Sequence, residues 1–121
     1  NKLFANNFKE NIKKIRAEIN RDNLDESMKL LGNIKVSSDD QQDQINLLFG
    51  DIYLKINKLT DAENFYQKAF ITTNESVELL CFIGLSEVKL RQGKLAKAID
   101  FAEKAIAINL ISINSVLIDG N

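Results

Sequence analysis

At 121 residues, 45% of them apolar, the chain is long enough to bury a modest continuous core and too apolar to be a disordered tail. Sixteen basic against seventeen acidic side chains leave a net charge of -1, which offers no electrostatic footprint for a DNA or RNA backbone. With no His and the single Cys81, imidazole-based acid–base chemistry, Ser-His-Asp arrangements, multi-cysteine zinc sites and intramolecular disulfides are all excluded.

Pro is absent, so Gly, Asn, Asp and Ser punctuate the chain, and every stretch between them reads as helix. Phe8, Ile12, Ile15 and Ile19 recur at spacings of four, three and four, drawing one apolar stripe along a helix over 8–20. A second helix follows over 24–34, its start marked by Asn23 with Glu26 three residues on, the pattern of a capping box. Residues 36–40 supply a turn and the next N-cap, and further helices are expected over 41–56, 61–72, 75–92 and 95–109, with a last piece from 112. Asp25-Glu26 and Asp39-Asp40 stand at helix starts, where carboxylates complement the helix dipole, so these pairs read as capping groups and not as catalytic ones. Cys81 lies in the apolar run 79–83 and reads as a buried, inert thiol. Such runs fall far short of the roughly 18–20 residues of a membrane span, so no membrane insertion is expected of this segment. No targeting signal is legible, and nothing here fixes a compartment.

The helices repeat. Aligning Leu24, Leu59 and Leu95 brings the small residues Ser27, Ala62 and Ala98 into register, at steps of 35 and 36. At offsets of four and seven from each stand Leu31 and Ile34, Tyr66 and Ala69, Ala102 and Ala105, which keep one helix face continuous. Five residues before each stand Asp22, Asn57 and Gly93, the types that best tolerate the left-handed conformation ending a helix. The same turn is specified three times.

Phe49-Gly50, Tyr53, Asn57, Leu59, Ala62, Tyr66 and Ala69 resemble the signature of the tetratricopeptide repeat, and 64–70 reads like its second helix. The third unit keeps Leu85-Ser86, Gly93, Leu95, Ala98 and Ala105 but has Lys89 where the family places an aromatic residue. The first unit departs most, with Ile12, Ile15 and Ile19 one residue off register and Lys14 and Glu18 at expected apolar positions. The resemblance implies an all-α, right-handed superhelical array, an α-solenoid, forming a single domain over 1–121 with repeats over 8–41, 43–76 and 79–112. Residues 113–121 then begin a fourth repeat or cap the third, and residues 3–7 and Gly120 sit where flanking repeats of a longer array would place them. Gly50 and Ser86 on first helices, with Ala62 and Ala98 on second helices, are expected at close backbone approaches.

The resemblance also implies a function: binding a protein or peptide segment in a concave groove lined by the first helix of each pair, within a larger assembly or secretion-type complex, with no catalysis and no cofactor. The expected contacts are the triplets Leu47-Asp51-Leu54 and Ile83-Glu87-Leu90, each an acidic residue between two aliphatic ones, with Lys55 and Arg91 along one edge. Ile12-Arg16-Ile19 is their first-unit counterpart with the opposite charge. The same aliphatics could serve only to pack neighbouring helices. The Lys and Asn clamp with which some members grip a C-terminal carboxylate is not reproduced, since Ile12, Arg16, Leu48, Leu80 and Gly84 hold its positions. A self-association module, in which copies of the chain pair through their ends or apolar first helices, is the alternative.

Overall fold

The computed structural model describes residues 2–119, and the side chains of residues 7–111, 113 and 114. Among the described residues it is all-helical: α1 (Lys2–Asn20), α2 (Leu24–Asn33), α3 (Asp39–Lys55), α4 (Leu59–Lys68), α5 (Glu75–Arg91) and α6 (Leu95–Asp119). Each helix packs on its chain neighbour, and α3 also packs on α5, which makes a helical-repeat solenoid of three antiparallel pairs.

The three tight turns form as the sequence specifies. Asp22, Asn57 and Gly93 take φ of 62°, 60° and 75°, and the amide of the residue after each donates to a carbonyl five positions back: Asn23 to Glu18, Lys58 to Tyr53 and Lys94 to Lys89. Ser38 accepts from the Gln41 amide at 3.2 Å and Asn74 from the Val77 amide at 3.2 Å, capping α3 and α5. The capping box expected at Asn23 does not form. Its amide group instead donates to Glu18 Oε2 at 2.7 Å, which turns the side chain back toward α1.

Two cores share α3. Phe8, Ile12, Ile15 and Ile19 of α1 pack with Leu31 of α2 and with Ile45, Leu48 and Ile52 of α3. On the other side of α3, Leu47 joins Ala62 and Tyr66 of α4 and Val77, Cys81, Leu85 and Val88 of α5. The departures of the first unit from the repeat pattern therefore cost it no core, since all four of its stripe residues are buried.

The expected small residues lie at close contacts. Ala62 is fully buried, Ala98 is 4% exposed, and Ser86 Oγ donates to the Ala98 carbonyl at 2.8 Å. Lys89, at the position of the family's aromatic, is buried and paired with Glu63 of α4, so an ion pair replaces ring packing there.

Three helix boundaries differ from the sequence reading by more than two residues. Helix α1 begins at Lys2 with no break before Phe8, while Gly120 lies outside the described residues. Helix α4 ends at Lys68 and not at 72, because buried Asp43 of α3 accepts from the Ile71 and Thr72 amides and the Thr72 hydroxyl, at 3.0, 2.8 and 2.9 Å. These bonds replace the helical ladder for that segment. Helix α6 runs through 110–112 without a turn, since neither Gly nor Pro stands between Leu95 and Asp119 and the Asn and Ser there do not stop it. Among the described residues, no helix is long and apolar enough to cross a membrane.

Candidate functional site

The first helices, α1, α3 and α5, carry one charged position in register, and the fold brings it together. Arg16, Asp51 and Glu87 line one open groove of about 830 Å³, whose apolar wall is made by Leu80 and Ile83 of α5 with Ala102 and Ile106 of α6. Beneath it lies Tyr66, fully buried, its ring seated against α3 and α5 where neither carries a side chain. A Cβ on Gly50 would stand 2.6 Å from Tyr66 Cε1, and one on Gly84 2.3 Å from Cζ. Both glycines are thus required by one ring that spans three helices.

The ring also sets the electrostatics of the floor. Tyr66 donates its hydroxyl to Asp51 Oδ1 at 2.5 Å. Burial pushes the Asp51 carboxyl above the ordinary carboxylate range, an effect the Tyr66 hydrogen bond and the nearby Arg16 and Lys55 charges only partly offset. Burial and the Asp51 carboxylate together drive the Tyr66 phenol well above its ordinary value. Burial, with Asp51, Asp43 and Glu78 adding to it, pushes the Cys81 thiol up to about 12, so it stays a protonated core side chain, as its sequence context suggests.

The expected contact residues divide into four groups. Asp51, Leu54, Ile83 and Glu87 line the groove. Leu47 does not: it is fully buried in the second core, closed over by α5. Ile12 and Ile19 are buried in the same way, at 7% and 4% exposure. Leu90 is exposed but lies outside the groove lining. Lys55 and Arg91 face backwards along the array, Lys55 pairing with Asp22 at 3.1 Å and Arg91 donating to the Leu54 carbonyl at 2.9 Å and to Glu87 at 2.9 Å. Each cation thus reaches the C-terminal end of the preceding first helix, where the dipole favours it.

The aliphatic positions explain each other through the repeat. Moving by one unit carries Leu47 to Ile83, from fully buried to 51% exposed, and half-buried Leu54 to Leu90, 54% exposed. In the second unit the next first helix covers these positions, and Ile83 is open because no helix lies over α5 among the described residues. The same shift carries Tyr66 to Ala102, so the volume the ring fills in one unit is empty in the next. Leu80, Ala102 and Ile106 were not among the contact residues expected from the sequence. The tyrosine-to-alanine step at equivalent positions is the signal that marks them.

Among the described residues no cluster of His, Cys, Asp and Glu is suited to hold a metal ion. A model of the tetratricopeptide repeat family matches residues 43–70, the unit that holds Gly50, Asp51 and Tyr66. No curated protein and no solved structure matches the chain.

Proposed function

Because the chain carries a tetratricopeptide repeat at residues 43–70, and such repeats generally mediate protein–protein interaction, we propose that it is a docking module whose groove between α5 and α6 receives a segment of another polypeptide. The carrying observation is the opening of Ile83 where its counterpart Leu47 is sealed, beside the hole left by Ala102. A groove of this shape favours a helical segment, which has one continuous apolar face and no unpaired backbone groups to bury. Arg16, Asp51 and Glu87 run along it and set direction and register; the uncovered apolar side chains supply the affinity. A family of interaction modules gives no reason to assign catalysis, and no residue here is given a catalytic role. An assembly or secretion-type complex is a setting that suits such a module.

A display library of helical and extended peptides, selected on the purified chain, tests this reading. The expected winners carry large apolar residues at helical spacing, and Ile83→Asp weakens them at least tenfold while the far-ultraviolet circular dichroism spectrum is kept. Binders indifferent to Ile83→Asp and Glu87→Lys would overturn the groove as the docking surface.

A further inference from the structure

We infer that the segment occupying this groove is the α6 helix of a second copy of the chain, the two copies pairing α6 against α6 about a two-fold axis near Asn109. The inference rests on the groove being a docking surface and names its occupant.

The repeat itself shows what covers such a groove. Over the α3–α4 pair the cover is α5, a helix antiparallel to α4, with Val77, Cys81, Leu85 and Val88 turned inward at helical spacing. The equivalent cover over α5–α6 is a helix antiparallel to α6. A two-fold axis through α6 produces that orientation with no further adjustment, because two copies of one helix related by a perpendicular two-fold run antiparallel.

Helix α6 has the composition of such a cover. From Ala105 to Ile118 its sequence holds no ionisable side chain, and Ile106, Leu110 and Ile113 are 57%, 54% and 46% exposed, with no helix over them among the described residues. Ile106, Asn109 and Ile113 follow at spacings of three and four and share one stripe, on which Ala102 and Ala105 also lie. With the axis at Asn109, Ile113 of each copy comes opposite Ala105 of the other. Large meets small there, beside the volume that Ala102 leaves open. Asn109 meets its own copy, and two facing amides can each donate to the other, which fixes the register as a single buried Asn does in paired helices.

Area and charge favour this arrangement over other placements of a second copy. Leu80, Ile83, Ile106, Leu110 and Ile113 each expose about half their surface, so covering them in both copies removes on the order of 1,000 Å² from water, the lower bound for a specific interface. Head-to-tail stacking would instead press the exposed Lys9, Glu10, Lys13 and Lys14 of α1 onto that apolar wall. An interface this small belongs with weak, transient associations, so the dimer is expected to build up only as the protein concentration is raised.

Sedimentation velocity across a concentration series reads the monomer–dimer equilibrium, and Ile106→Asp, at an exposed position, should shift it at least tenfold toward monomer. An engineered thiol reads the axis directly. Asn109→Cys should form a disulfide-linked dimer on mild oxidation, while Asn64→Cys on the exposed face of α4 should not; Cys81 is fully buried and does not compete. A chain that sediments as a monomer throughout, with Asn109→Cys and Asn64→Cys linking equally slowly, overturns the α6 pairing. Display binders sensitive to Ile83→Asp on that monomer would leave the groove reading standing with a different occupant. A dimer that persists in Ile106→Asp, with no linkage at Asn109→Cys, places the interface elsewhere and equally overturns the inference.

Discussion

Adding one methyl group at Gly84 tests the packing on which the groove floor depends. The new Cβ would stand 2.3 Å from Tyr66 Cζ, 2.6 Å from Cε2 and 2.8 Å from Cε1, where carbon atoms in contact settle at about 3.5–4.0 Å. The ring has to move by more than an ångström. It is held against Gly50 on α3, where a Cβ would stand 2.6 Å from Cε1, and its hydroxyl is held by Asp51 at 2.5 Å. Overpacking of this kind costs about 1–3 kcal/mol. Loosening a hydrogen bond to a carboxylate adds roughly 1.5–3 kcal/mol. At this chain length each kcal/mol lowers the melting temperature by roughly 3–5 °C, so Gly84→Ala should melt on the order of 10–20 °C lower. Thermal unfolding followed by circular dichroism measures this, and a double-mutant cycle assigns the cause. In a Tyr66→Leu background the cost of Gly84→Ala should fall below about 1 kcal/mol, because the obstructing ring is gone. A melting temperature within about 2 °C of the parent, or a cost unchanged without the ring, would refute the wedge.

The raised Asp51 carboxyl makes a pH prediction. Because the folded chain holds that proton more tightly than the unfolded one, Asp51 lowers stability as pH climbs from the ordinary carboxylate range through its folded pKa, and the loss persists above it. Asp51→Asn still accepts from the Tyr66 hydroxyl but cannot ionise. It should therefore gain on the parent progressively as the pH is raised from 3 toward 7, and urea titrations that show no pH-dependent difference would contradict the burial argument. Lys89→Met should cost about 1–3 kcal/mol by stranding the partly buried Glu63, and adding Glu63→Leu should recover at least half of it, as chemical denaturation of the three variants would show. Asp43→Ala removes an acceptor shared by two amides and a hydroxyl, and should cost about 2–4 kcal/mol while Ile71 and Thr72 lose hydrogen-exchange protection before the rest of the chain. Ala62→Leu, at a fully buried position on α4, should cost about 1–3 kcal/mol, and an unchanged melt would count against the repeat register.

The turns were legible because they are local. Asp22, Asn57 and Gly93 differ chemically, yet each is a residue that accepts positive φ, and a constant spacing to a small residue marks all three. The charged track was legible for the same reason: Arg16, Asp51 and Glu87 differ in sign but share a register position. What escaped the sequence depends on contacts between units. That Gly50 and Gly84 serve one ring is a three-helix fact, and no spacing along the chain reports it. Leu47 and Ile83 look alike as residues, and only the presence of α5 over one and, among the described residues, of no helix over the other separates a core position from a groove wall. Asp43 shortens α4 from a helix away, against the intrinsic pattern of residues 69–72. Asn109 and the polar residues after it suggested a turn, but helix α6 continues through them. Of residues 113–121, expected to begin a fourth repeat or cap the third, the side chains of 115–121 lie outside the described ones.

Among the described residues, the main contacts between helices join elements one or two places apart along the chain. No long loop has to close before those contacts form, so the entropic barrier to folding is that of making a helical hairpin and docking the next one. Folding can then spread from unit to unit, and the residues that reach back across a unit boundary decide how tightly the steps are coupled. Tyr66, Lys55 and Arg91 are such residues, the first joining α4 to both flanking first helices and the cations tying each first helix to the one before. Weakening them would loosen the coupling between hairpins that individually stay intact, and the unfolding transition would broaden before it shifted.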